Sequence, residues 1–310
     1  MGLNYFFLID DEESHAKVSH FSVDAKALVL FQVDGYPERV IHVGSFYGEF
    51  FFNFVFAATA ATITSGAVAE RVKLSAYFGY SLILTGFVQP ITVHWTWSNG
   101  FLLYPSKWFQ LPETVFFRDY AGGMSVHAVG GLAALVGCGF IGPRIGKYQA
   151  GKHYHLPGHS TPLTGLGGFI LITGFLGMVL GHGSNIELSS TNIFLGGAVA
   201  GCTATSYKFV KPFIVNFKRR SRRNSKIKKT YWSFLVLVDS CLCGMVALCA
   251  GANVVEPYAA ACIGFVSALV FLGIEDLIKR NELDDPLGSI ARVLIQASII
   301  SFFFVRENIM

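Results

Sequence analysis

Charge is what this chain has least of. Asp, Glu, Lys and Arg make up 14% of its 310 residues, against about 25% in an ordinary soluble domain, and that deficit excludes a protein whose main solvent is water. Disorder is excluded from the other side. With 52% hydrophobic and 15% aromatic content, the chain carries too much apolar surface to stay hydrated. Its 33 glycines show no period of three, so it is not collagen-like. A basic leader and a small-residue cleavage pattern are both missing, because the acidic stretch Asp10–Glu13 follows the first short apolar run; the start is therefore not expected to be a signal peptide. The six cysteines, at 138, 202, 241, 243, 249 and 262, lack metal-ligand spacing. They lie inside apolar blocks and read as buried small hydrophobes. No cofactor or metal is expected.

What is there instead is a series of apolar blocks bounded by charges. A charge at bilayer depth costs several kcal/mol, and a helical span needs about 20 apolar residues, so the gaps between charges count the helices. Seven spans are predicted: Phe50 to Ala69, one within Leu74 to Ser106, Tyr120 to Pro143, Pro162 to Ile186, Leu188 to Tyr207, Trp232 to Gly251 with Asp239 inside it, and Pro257 to Ile274. An eighth, Val293 to Val305, is only marginally long enough. Seven consecutive spans place alternate loops on opposite sides. One set holds Arg71, Lys73, Arg144, Lys147, Lys152, Lys208, Lys211, the run Lys218 to Lys229, Lys279 and Arg280; the other holds only Lys107 and Arg118. Lys and Arg accumulate in cytosolic loops, so the basic set is expected inside. The run KRRSRRNSKIKK has no interleaved aromatics and sits between two spans, which favours a cytosolic loop beside anionic lipid over a nucleic-acid site. Glycine patterns such as GGAVAG (196–201) predict helices that approach closely.

The chemistry-bearing candidates are few. His127 lies mid-span, where an ionisable side chain is a functional candidate by default; a neutral imidazole donating to a backbone carbonyl is the equally open alternative. Asp119 precedes that span and suits an N-cap. His94, Trp95 and Trp97 stand at the outer end of the second span and read most simply as an interfacial belt. Phe50, Phe51, Phe52, Phe54 and Phe56 cluster at the outer end of the first. The two aromatic groups share one side of the membrane, so together they form a possible vestibule for a small cation, each ring contributing about 0.5 to 2 kcal/mol.

The strings AERV (69–72), DYAGGMSVH (119–127), GPRIGKY (142–148) and DDP (284–286) resemble the ammonium transporters of the Amt/Mep/Rh superfamily, and within it the Amt branch. The resemblance runs from about residue 46 to about 291. It implies an all-α, polytopic transmembrane bundle, complete in eleven helices, assembled as a homotrimer with one pore per subunit, placed in the plasma membrane and carrying ammonium or ammonia. Residue by residue, it makes Phe56 the pore-gating ring, Phe52 its companion, Trp97 the outer ring of the external ammonium site, His127 the first pore histidine and Asp119 a structural support of that site; Phe194 is a looser candidate for a further ring. The second pore histidine is replaced by Val293. Three regions follow: 1–45 as an extracellular segment, 46–291 as the transporter-like membrane domain, and 292–310 as a divergent tail. The expectation is a member shortened at both ends, or one that does not transport.

Two other functions are weighed. A membrane enzyme would set His127 against Asp119 or Asp239. An ammonium-sensing or scaffolding protein would bind the ion without passing it.

Overall fold

The computed structural model describes residues 46–97, 100–105, 109–110, 117–149, 152–154, 156, 158–219, 232–291 and 293, with two short strands, β1 (Ser22–Asp24) and β2 (Ala27–Leu30), that pair antiparallel. The rest of the extracellular segment expected at 1–45, the tail beyond Val293 and most of the basic run at 218–229 lie outside the described residues. Among the described residues eight α-helices carry the architecture: α1 (Phe46–Val68), α2 (Leu74–Ile83), α3 (Gln89–Trp97), α4 (Val129–Ile141), α5 (Thr161–Leu180), α6 (Ile186–Arg219), α7 (Phe234–Leu248) and α8 (Pro257–Arg280). A small hairpin, β3 (Tyr148–Gln149) with β4 (Lys152–His153), follows α4.

Among the described residues six stretches are long and apolar enough to cross a membrane, and α7 is a shorter apolar helix. The sixth predicted span, Trp232 to Gly251, is therefore present as a shorter helix than expected, because the chain turns after Leu248 and gives its carbonyls away: Cys249 accepts from the amide of Ala121 at 2.8 Å and Ala250 from that of Tyr120 at 3.0 Å. Two spans contain a wide π-helical turn. The first, Leu84–Val88, links α2 to α3; Pro90 follows it, and proline's ring and missing amide disturb the ladder one turn upstream. The second, Gly123–Ala128, leads into α4.

Helices α6, α7 and α8 pack on one another, α1 packs on α4, and α5 packs on α7. The glycines decide how closely. A Cβ on Gly244 or on Gly264 would collide with the backbone carbonyl of Gly196, so three helices meet backbone to backbone at this point, as the GGAVAG string predicted. Of the six cysteines, 138, 243 and 249 are buried as expected, whereas 202 and 262 are exposed on the outer faces of α6 and α8. In lipid an apolar residue needs no burial, which is why a thiol inside an apolar block does not have to face inward.

The strings AERV, GPRIGKY and DDP, scattered through the sequence, converge at one end of the bundle. Asp284, 1% exposed, receives the Arg144 guanidinium at 2.7 Å and the Arg144 amide at 3.0 Å, and pairs with Arg71 at 3.5 Å. Arg144 also reaches Glu70 at 2.7 Å, and the Tyr148 hydroxyl donates to the Leu283 carbonyl at 2.9 Å. Burial alone would raise the Asp284 carboxyl, but the hydrogen bonds and charge of Arg144 outweigh it and hold the group below the ordinary carboxylate range. The same bonds hold Arg144 further into its charged form. Lys208, Glu275 and Lys279 form a second chain of ion pairs, where Lys208 of α6 meets α8.

Candidate functional site

At the opposite end of the bundle four segments bring rings together. Phe52 and Phe56 lie one turn apart on α1, so both face the same way; their centroids are 4.8 Å apart, while Phe51 and Phe54 are exposed on the outer face. Trp97 closes α3 and meets Phe56 edge to face at 5.4 Å. The belt reading separates here into two residues. Trp95 is 37% exposed, whereas Trp97 is 2% exposed and donates its indole N–H to the Asp119 carbonyl.

Asp119 is fully buried but is not the N-cap expected of it, since Gly122 holds that place and Asp119 reaches the turn from three residues further back. Its Oδ2 accepts from both the backbone amide and the hydroxyl of Ser125, each at 2.9 Å, which satisfies donors in the first turn leading into α4. Gly122 makes the corner at φ +81°, a conformation open to glycine without strain. The Asp119 carbonyl fixes Trp97, and its carboxylate fixes the turn that carries His127.

The amide of His127 bonds back five residues to the Gly122 carbonyl at 3.0 Å, the widened step that turns its side chain into the bundle. The imidazole is 3% exposed and stacks on Phe175 of α5, with centroids 5.4 Å apart and planes 5° from parallel. Among the described residues neither ring nitrogen has a hydrogen-bond partner. Among the described residues the imidazole therefore donates to no backbone carbonyl and makes no hydrogen bond to either Asp119 or Asp239. Val126, beside His127, belongs to the same apolar cluster as Phe56 and Trp97; Met178 packs against that cluster and also against the one containing Tyr120. Phe175 lies five residues inside the end of α5, roughly 8 Å deeper at 1.5 Å per residue. Ring cluster and imidazole are thus joined by apolar side chains.

Four participants escaped the sequence reading. His182 sits among the rings, with centroid distances of 5.2 Å to Phe52, 5.5 Å to Phe56, 5.7 Å to Trp97 and 5.1 Å to Tyr120. Tyr120 donates its hydroxyl to the Ser184 carbonyl at 2.9 Å, with that of Val179 at 3.1 Å. Phe175 and Met178 complete the set. A histidine bracketed by two glycines at the close of a charge-free block was the available signal. Phe194, by contrast, is half exposed on α6 and contributes no ring to this cluster.

The sequence profile of the Ammonium Transporter Family matches residues 12–305. Ammonium transporter 1 member 2 of Oryza sativa subsp. japonica is 34% identical over 278 residues, covering 81% of this chain and 51% of that protein. Ammonium transporter 1 member 1 of Arabidopsis thaliana is 36% identical over 258 residues, covering 78% and 48%. The chain thus spans about half the length of the curated relatives it matches. Among solved structures, that of a protein named Sensor Amt Protein superposes with a TM-score of 0.68 at 30% identity, over 84% of this chain and 62% of that one. Mep2 of Candida albicans shares the fold with a TM-score of 0.65 at 23% identity, over 85% and 53%.

Proposed function

Because this chain belongs to the ammonium transporter family, we propose that it takes up ammonium at the chamber of Phe52, Phe56 and Trp97 and hands it, as ammonia, to the apolar path past His127. The observation that carries this reading is the His127 imidazole, buried with neither nitrogen hydrogen-bonded among the described residues. A buried polar group without a partner costs about 1 to 3 kcal/mol, and a small solute able to hydrogen-bond would remove that cost as it passes.

Charge explains the order of the two stations. Carrying an ammonium ion into an apolar conduit incurs a large desolvation cost. Ring quadrupoles offset part of it at the mouth. Deeper in, low polarity favours the neutral form of any titrating group, so the ion gives its proton to water at the outer mouth and ammonia alone continues. Trp97, pinned by the Asp119 carbonyl, keeps the outer ring in place whether or not a cation is present. On this reading the Asp284 end faces the cytosol, the protein resides in the plasma membrane, and three copies form the assembly.

The test is direct. The chain is reconstituted in liposomes enclosing a pH-sensitive dye and exposed to an ammonium gradient. Faster internal alkalinisation than in protein-free liposomes supports the reading, and equal rates overturn conduction by this chain.

A second reading has its own support, since a structural neighbour at 30% identity is named Sensor Amt Protein. In it the chamber binds ammonium and nothing crosses. Saturable ammonium binding without alkalinisation separates this from transport.

A further inference from the structure

The proposed ammonium chamber already contains a side chain that can itself become a cation. His182 stands on the turn Gly181–His182–Gly183 after α5. The flanking glycines are more exposed, while the histidine is 5% exposed. The backbone accounts for this contrast. Gly183 adopts φ +74°, and a Cβ on Gly181 would collide with the Phe52 ring, so the turn presses against the chamber wall and its one side chain is directed inward. The Tyr120 hydroxyl on the Ser184 carbonyl, and Asn253 Nδ2 on the Ser184 hydroxyl at 2.9 Å, hold the turn from both sides.

Four aromatic rings have centroids within 6 Å of the imidazole, which is the range in which a cation is held by ring quadrupoles. The arrangement that would retain ammonium therefore retains imidazolium by the same force. Resting on the ammonium reading above, we propose that His182 gates the chamber: protonated, it fills the cation site as an intramolecular competitor, and ammonium enters only while it is neutral.

Among the described residues the elements packed against His182 carry a short set of other titratable groups. α1 carries Tyr47 and Glu49 one to two turns before Phe52, and α3 carries His94 one turn before Trp97. The segment leading to α4 carries Arg118, Asp119 and Tyr120, with the Asp119 carboxylate turned to Ser125. Glu187, at the start of α6, is exposed.

Competition by one proton has a defined signature. Below the pH at which the imidazole protonates, apparent ammonium affinity should weaken about tenfold per pH unit, while ammonium itself keeps its charge. The experiment is calorimetric titration of the purified full chain with ammonium chloride from about pH 8 to about pH 5, for wild type and His182→Gln. Wild type should lose affinity by an order of magnitude or more, and H182Q should vary by less than about twofold. An acid-dependent loss that survives in H182Q, or no loss in wild type, overturns the gate. Should the variant not fold, wild type labelled with ¹⁵N-histidine decides the matter: by reciprocity, saturating ammonium must move the His182 titration to lower pH, and an unmoved titration overturns the proposal. Absence of ammonium binding by both proteins at about pH 8 overturns the ammonium reading itself, and the gate with it.

Discussion

Arg144 grips Asp284 across 140 residues of chain, donating its backbone amide at 3.0 Å and two guanidinium nitrogens at 2.7 and 3.1 Å. The carboxylate is 1% exposed and also faces Arg71. The pair joins the end of α4 to the end of α8, and through Arg71 to the end of α1. Three helices that begin at or near the ring cluster are thereby tied together at their far ends.

Asp284→Ala leaves two guanidinium groups facing a vacated, nearly closed site. Breaking a buried ion pair by removing one partner costs about 3 to 5 kcal/mol. Thermal unfolding in detergent micelles should show a large drop in Tm, and a variant melting within a degree or two of wild type would refute the role assigned to this pair.

The same carboxylate predicts a pH window. Its folded pKa lies below its ordinary value, so its contribution to stability is complete above the unfolded value of about 4 and is lost as pH falls through the folded value. Wild type should therefore lose Tm steeply below about pH 4, whereas Asp284→Asn, already weakened, should show a shallower decline over that interval. Parallel curves for the two proteins would exclude Asp284 as the source.

His127→Leu separates fold from function. Among the described residues the imidazole makes no hydrogen bond that the leucine would forfeit, and a buried unsatisfied polar group costs about 1 to 3 kcal/mol. The variant should melt at or above the wild-type temperature while losing ammonium-driven alkalinisation of liposomes. A lower Tm would mean that His127 has a structural partner after all.

For the chamber rings, Phe56→Ala and Trp97→Ala should each weaken ammonium binding about 2- to 30-fold, the equivalent of roughly 0.5 to 2 kcal/mol per ring. Trp97→Phe keeps a ring but removes the N–H held by the Asp119 carbonyl. Its binding should fall less than that of Trp97→Ala, with a stability loss of about 1 kcal/mol. Calorimetry with ammonium chloride and a melt on each variant test both parts.

The helix crossing offers a purely structural test. Gly244→Ala sets a methyl group against the Gly196 carbonyl and the Ala200 side chain, atoms that cannot swing aside as a flexible side chain would. Overpacking costs about 1 to 3 kcal/mol, whereas Gly273→Ala, which meets nothing within 4 Å, should be neutral or slightly stabilising through helix propensity. Comparable melting of the two variants would refute the close approach.

Much of this was legible in the chain itself. Charge-free blocks marked the spans because lipid tolerates few charges, and the rule depends on composition rather than on packing. His127 stood out by type and by its place in mid-span, and the two aromatic clusters by composition; Phe56 and Trp97 were picked out within those clusters only by the resemblance of the surrounding strings to the ammonium transporters. The end of α7 was misjudged by a few residues, since hydropathy continues through Cys249 and Ala250 while their carbonyls are taken by a segment more than a hundred residues earlier.

Other features depended on contacts between distant segments. Trp95 and Trp97 are two residues apart in one string, and only the rotation of α3 against α1 turns one outward and the other inward. His182 lay in a short polar turn that reads as solvated. It becomes a buried ring because α1, α3, the approach to α4 and the end of α5 meet around it. Composition alone determined that this chain partitions into spans, because transfer between water and lipid is a property of each block by itself; which side chains share a chamber was decided only by tertiary structure, because it depends on how separately specified helices are rotated and brought to close approach.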